Sequence, residues 1–164
     1  MNRMRSRLTL ASHDRRRAVA AAGLCLLATH PLRALAQLDT TPTLQARIAT
    51  WSAGKPLSLD DGRQRVVLDV PALVENGNAV PLTVRVNSAM RGADRVLEIL
   101  LLNELNPQRE LAWLRFGALS PRAELSTRVR LATSQRLVAL VRMADGSQWL
   151  AGADVVVTLA ACVE

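Results

Sequence analysis

The sequence predicts an all-β protein, and three observations carry that expectation. Between residues 65 and 159 the chain reads as seven short strand-like segments, and apolar and polar side chains alternate with a period of two most cleanly at 82–87 and 125–131. Gly, Pro, Asn, Asp or Ser punctuates the chain between one segment and the next. None of these segments carries the 3.6-residue apolar period of a helix. Seven short strands without intervening helices imply a β-sandwich of immunoglobulin type, here preceded by a short helix and an export signal.

The signal comes first. Arg3, Arg5, Arg7, Arg15, Arg16 and Arg17 stand ahead of an apolar, alanine-rich run at 18–28, and Ala34-Leu35-Ala36 follows as an A-x-A cleavage pattern. The run is too short to span a bilayer as a permanent helix, so residues 1–36 read as a signal peptide that is removed. The pair Arg15-Arg16 resembles a twin-arginine signal, which exports proteins already folded. Weak hydrophobicity and Arg33 near the cleavage site favour that route over ordinary secretion. Leu24 is too large for lipoprotein processing at Cys25, so no membrane anchor is expected after cleavage.

Removing the signal changes the charge. The whole chain has 21 basic and 14 acidic residues, a net charge of +7. Residues 1–36 take seven of the basic and one of the acidic residues with them, which leaves +1 with the two signs interspersed. Without a basic stripe, nucleic acid is not an expected partner. His13, His30 and Cys25 also lie in the signal, so the mature protein has no His and a single Cys, Cys162.

Residues 37–64 form a helix and linker. Leu44, Ile48 and Trp51 recur at i, i+4 and i+7, which predicts a short amphipathic helix over 43–52, closed by Gly54 and Pro56. Its stripe fits the body of the protein, with a partner-binding helix as the alternative. Asp60-Asp61 beside Gly62 reads as a turn.

Within 65–159 the strands are expected at 65–70, 79–87, 95–102, 110–116, 124–131, 136–143 and 148–159. Alternation is cleanest where Leu82, Val84 and Val86 face Thr83, Arg85 and Asn87, and where Leu125, Thr127, Val129 and Leu131 face Ser126, Arg128 and Arg130. Asp145-Gly146 predicts a tight hairpin with a primed turn, whose two central residues both need positive φ. With no disulfide available to the core, Trp113, Trp149 and Phe116 are expected to supply its bulk. Residues 96–102 (VLEILLL) are apolar on both faces, which places that strand centrally or sets its outer face against a partner subunit; the second reading is preferred here.

The residue inventory limits the chemistry. Ser-His-Asp and Cys-His nucleophilic sites need an imidazole to take the proton. Zinc, copper and haem sites need clustered His or Cys ligands. No acidic pair stands at a convincing spacing, and neither metal nor cofactor is expected. Cys162 has no internal disulfide partner and must remain a thiol, pair with another chain, or carry something. It stands in a tail at 160–164, Ala160-Ala161-Cys162-Val163-Glu164, about 10 Å beyond a strand ending near Leu159.

Several of these stretches are recognisable together. Residues 124–135 (ELSTRVRLATSQ), 137–149 (LVALVRMADGSQW) and 154–159 (DVVVTL) with the tail cysteine closely resemble the SoxY family. So do 75–81 (ENGNAVP), 84–90 (VRVNSAM) and Asn106-Pro107. The resemblance implies a sulfur-carrier subunit of the bacterial thiosulfate-oxidising (Sox) system in the periplasm. It implies a heterodimer with a SoxZ-like sandwich that is exported alongside. It also implies that Cys162 is joined oxidatively to thiosulfate by a haem-containing sulfur transferase. A sulfate-releasing hydrolase and a sulfane dehydrogenase would follow, so the carrier itself would catalyse nothing.

The tail departs from the family pattern. Where the family has Gly-Gly-Cys-Gly-Gly, Ala160 and Ala161 precede Cys162, and Val163 and Glu164 follow it. Glycines give an arm free backbone angles and minimal width. Val163 and Glu164 widen it, and the Glu164 carboxylate disfavours the thiolate. Two other readings therefore stand beside the carrier. One is a diverged SoxY-like sandwich that serves in binding or assembly and no longer carries sulfur. The other is a thiol oxidoreductase, which lacks a second cysteine or a histidine to resolve an oxidised thiol.

Overall fold

The computed structural model describes residues 42–60 and 64–161. Arg15, Arg16, Ala34 and Ala36 of the expected signal, Asp61 and Gly62 of the expected turn, and Cys162, Val163 and Glu164 lie outside the described residues. Thr43 is extended, and its hydroxyl accepts the N–H of Ala46 at 3.2 Å, so it caps α1, Leu44–Ser52. Ala53 ends the helix in the left-handed region (φ 51°), with its N–H returned to the Ala49 carbonyl. Leu44, Ile48 and Trp51 are buried on one face.

Nine strands occur among the described residues: β1 (Ser58–Leu59), β2 (Val66–Asp69), β3 (Leu73–Val74), β4 (Val80–Val86), β5 (Val96–Asn103), β6 (Glu110–Arg115), β7 (Ala123–Val129), β8 (Gln135–Met143) and β9 (Gln148–Val157). Seven of them are the segments expected from the period of two. The other two, β1 and β3, are two residues long and too short for any period to show. Both run parallel to β9, at Trp149-Leu150 and at Val156-Val157, and cover parts of its outer edge.

The long strands form two sheets. One is antiparallel in the order β2-β4-β7; the other runs β1-β9-β8-β5-β6, with β3 also on β9. Between them lies the main core, in which Leu82, Val84 and Val86 of β4 meet Ile99 and Leu101 of β5 and Leu137, Ala139 and Val141 of β8. This is the immunoglobulin-like all-β sandwich that the sequence predicts.

Alternate residues of β5 and β8 face the other way. Leu100, Leu102, Val138 and Leu140 pack under Leu44, Ile48 and Trp51 of α1 in a second apolar cluster. The helix is thus part of the body, and it accounts for the two-faced strand. β5 is central, between β8 and β6, and its outer face is covered by this chain's own helix. The preferred expectation of a partner subunit on that face is corrected accordingly. Each leucine buried there contributes about 2 kcal/mol, so a nine-residue helix that would be marginal alone is held by packing.

Three other expectations change. Trp113 is not core: it is 48% exposed, because register with Leu100 puts it on the outer face of β6, beyond the helix. Trp149 and Phe116 are half-buried against the main core. Thr127, expected on the dry side of β7, is exposed, since β7 is an edge strand. The hairpin at Asp145-Gly146 is not a two-residue primed turn. Gly146 takes positive φ (84°) and Asp145 does not. Gly146 N–H donates to the Met143 carbonyl at 3.1 Å and Met143 N–H to the Ser147 carbonyl at 3.0 Å, the pattern of a three-residue loop closed by a glycine bulge.

Candidate functional site

The sequence directs attention to Cys162, so the site is built from the chain that leads to it. β9 ends at Val157, but residues 158–161 stay on the body. Thr158 N–H donates to the Val74 carbonyl at 3.0 Å and Leu159 N–H to the Glu75 carbonyl at 3.2 Å, which prolongs the parallel pairing with β3. Gly77 N–H then donates to the Leu159 carbonyl (2.8 Å), Leu131 N–H to the Gly77 carbonyl (2.9 Å), and Ala161 N–H to the Leu131 carbonyl (3.1 Å). Ala160 is exposed, whereas Ala161 is 7% exposed.

This revises the expected reach. A tail that left the body at Leu159 would carry Cys162 about 10 Å out. Here the last described residue, Ala161, is itself anchored, and Cys162 follows it by one peptide link. The two alanines before the cysteine are different in kind, one facing solvent and one packed.

Gly77 opens a short 3-10 turn, Gly77–Ala79, whose preceding residue Asn76 accepts the N–H of Asn78 at 2.9 Å. An Asn-Gly pair reads from sequence only as a turn. The structure adds that Gly77 is buried where the tail, the turn and Leu131 converge. A Cβ there would stand 2.4 Å from the Leu131 carbonyl oxygen and 2.9 Å from the Ala161 nitrogen.

Beneath Leu131 lies a polar network that sequence reasoning missed. Asn106 donates from Nδ2 to the Arg130 carbonyl at 2.7 Å, and its Oδ1 accepts from Ala132 N–H at 2.9 Å and from Gln135 Nε2 at 2.7 Å. Gln135 Oε1 accepts from Leu105 N–H at 2.8 Å. Asn103 accepts the Asn106 N–H at 2.9 Å and donates to the Gln108 carbonyl at 2.7 Å. All three side chains are buried, and such groups persist in a dry interior only when paired. They fix the path of residues 130–135, and so the carbonyl on which Ala161 rests. Asn106-Pro107 is the kind of pair that marks a turn between strands, but nothing in the pattern marks Gln135.

Electrostatics place little else at this end. A groove of about 320 Å³ beside it is lined by Gln108, Glu110, Arg128 and Arg130 among others. The Asp94 and Asp145 carboxyls are held below their ordinary value of 3.8, the first by the Ala89 N–H and then Arg65, the second by Ser147. Asp94 precedes β5 and Asp145 follows β8, at the one sheet end where Val96 pairs with Met143, and each serves its own loop. Among the described residues no group of three or more His, Cys, Asp or Glu side chains converges.

Comparison with known proteins bears on this arrangement directly. A family model described as sulfur oxidation protein SoxY matches residues 53–162, a span that ends on the cysteine. Among solved structures, the sulfur carrier protein SoxY from Chlorobium limicola f thiosulfatophilum is similar with a TM-score of 0.58 and 24% identity, over 71% of this chain and 97% of that one. A putative superoxide reductase from Thermotoga maritima is similar with a TM-score of 0.50 and 17% identity, over 62% and 93%. At such identities the structural likenesses speak for the fold alone, and one sandwich serves different chemistries. No curated protein matches the chain.

Proposed function

The chain belongs to the SoxY family of sulfur oxidation proteins, and on that premise we propose that it is a periplasmic sulfur carrier holding its cargo covalently on the Cys162 thiol. The observation that carries the reading is the extent of the family match, which runs from Ala53, just after α1, through the sandwich to residue 162. Two features of the sequence support it. Cys162 is the only cysteine outside the signal segment, and no histidine stands outside it to make the chain a nucleophilic catalyst.

In the chemistry that the family implies, the thiol gives up its proton and forms a disulfide bond to the sulfane sulfur of thiosulfate. The two electrons released pass to a haem-containing sulfur transferase. Water, delivered by a hydrolase, then cleaves the terminal sulfone as sulfate and leaves sulfane sulfur on the cysteine. A sulfane dehydrogenase oxidises that sulfur further. In this reading the sandwich pairs with a SoxZ-like subunit, and a twin-arginine signal takes the folded pair to the periplasm.

Intact-mass measurement of the protein from cells oxidising thiosulfate tests the proposal. A sulfur adduct that maps to Cys162 is expected; a bare thiol or a partner disulfide as the sole species would count against it. A second reading is favoured by the tail itself, where Val163 and Glu164 replace the family's glycines: a binding or assembly subunit that has stopped carrying sulfur.

A further inference from the structure

Glycine at 77 is not required by the backbone. Positive φ is confined among the described glycines to Gly54, Gly92 and Gly146, so residue 77 could adopt its conformation with a side chain. Space is what excludes one. The Leu131 oxygen and the Ala161 nitrogen occupy the position that a Cβ would need, at 2.4 and 2.9 Å, with a Val157 methyl at 3.1 Å. The atoms that crowd it belong to the tail and to the strand exit on which the tail rests.

We propose that Gly77 is a positioning residue for the carrier thiol. It closes a latch of three backbone hydrogen bonds, Gly77 to Leu159, Leu131 to Gly77 and Ala161 to Leu131, that holds the chain one residue before Cys162. With the latch closed, the Cys162 Cα stands about 3.8 Å from the last anchored Cα. When the bonds to Leu159 and from Ala161 open, the remaining anchor is Leu159 N–H on the Glu75 carbonyl, at 3.2 Å. Cys162 is then three residues out, with a reach of about 10 Å.

The sandwich does not need to deform for this change. Only the loss of two bonds and the exposure of the Ala161 methyl separate the two lengths, and both lie at the end of the chain's last strand. Local openings of this kind at element ends are the easiest that a folded protein makes. The use of the two lengths, a short tether while the thiol is held and a long one while an enzyme is visited, rests on the carrier reading. The latch itself does not.

The test uses the full chain and reads two quantities. One is hydrogen exchange at the amide of residue 77. The other is the ratio of alkylation rates at Cys162 for a small maleimide and a polymer-linked one, followed on the peptide that contains it. In Gly77→Ala the amide should exchange about tenfold faster and the large reagent should gain on the small one by a similar factor, while exchange in β5 and β8 stays unchanged. Ala161→Pro removes the donor without adding an atom at residue 77, and it should produce the same two shifts if Gly77→Ala fails to fold. An unprotected amide at Gly77 in the native protein, or a reagent ratio that neither variant moves, overturns the latch. Failure of the carrier reading is seen elsewhere, as a native protein without any sulfur adduct, and leaves both readouts intact.

Discussion

Arg142 holds Trp51 twice: its guanidinium lies 4.6 Å from the centre of the indole ring, and its Nη2 donates to the Trp51 carbonyl at 2.9 Å. The same guanidinium approaches Glu98 Oε1 at 2.8 Å as an ion pair without the alignment of a hydrogen bond. Glu98 is 8% exposed, and its other oxygen accepts from Trp113 Nε1 at 3.0 Å. One cation therefore compensates a buried carboxylate and fastens the last turn of α1 to the large sheet.

Arg142→Ala should consequently cost more than an ordinary surface change, about 3 kcal/mol, because it strands the Glu98 charge in a dry site. Glu98→Gln in the same background should return part of that loss, since an amide needs no counter-charge. Urea unfolding of the two single variants and the double variant measures the coupling. Losses that simply add would show that the two side chains act independently.

Asn106 offers a second stability test, at the tail end. Asn106→Ala leaves the Arg130 carbonyl and the Ala132 N–H without their side-chain partner and takes from Gln135 Nε2 one of its two acceptors, the Thr133 carbonyl remaining. The expected loss is about 3 kcal/mol, seen as a lower denaturant midpoint with the slope unchanged. Exposed Gln108 is the neighbouring control; its replacement by Ala should stay within about 0.5 kcal/mol. Equal effects at the two positions would remove the network from the account of this end.

What could be read in advance followed the range over which each signal acts. Leu82, Val84 and Val86 alternate with Thr83, Arg85 and Asn87 within one strand, so local order was enough to place β4, as short apolar runs between turn residues were for the other six long strands. Trp113 was misplaced because its exposure depends on register with Leu100 and on where α1 stops, neither of which is local. The outer face of β5 was assigned to a partner for the same reason: the helix that covers it lies some fifty residues earlier. At the site, Cys162 stood out by chemical type alone. Gly77, Leu131 and Gln135 did not, since they act through backbone atoms or through partners about thirty or more residues away, where no period reaches.

The pH dependence of stability should report Asp94. Its carboxylate accepts the Ala89 N–H at 2.5 Å and pairs with Arg65, and both hold it below the ordinary value of 3.8. A carboxylate lowered on folding stabilises the folded state above its unfolded pKa, and that contribution disappears as pH falls through the folded value. Asp94→Asn should therefore lower the thermal midpoint at neutral pH, with the gap closing only below 3.8. Because the group is partly exposed, added salt should narrow the gap. A gap that persists undiminished in acid would mean that the carboxylate's charge is not what holds residues 87–95.

The residues around Cys162 separate carrying from assembly. Cys162→Ser should abolish the sulfur adduct and leave the unfolding midpoint within about 0.5 kcal/mol, because chain ends contribute little packing. Ala160→Gly and Ala161→Gly are not equivalent: Ala160 faces solvent, whereas Ala161 surrenders a buried methyl while keeping its N–H for Leu131. A change at Ala161 thus acts on anchoring, and changes after the cysteine act on width. For a working carrier, Val163→Gly with Glu164→Gly should speed adduct formation by about threefold, the factor that roughly 0.5–1 kcal/mol of backbone freedom supplies. An adduct that forms only in the glycine variant, from a native protein that takes none, would assign this chain to assembly and make Val163 and Glu164 the residues that ended its carrying.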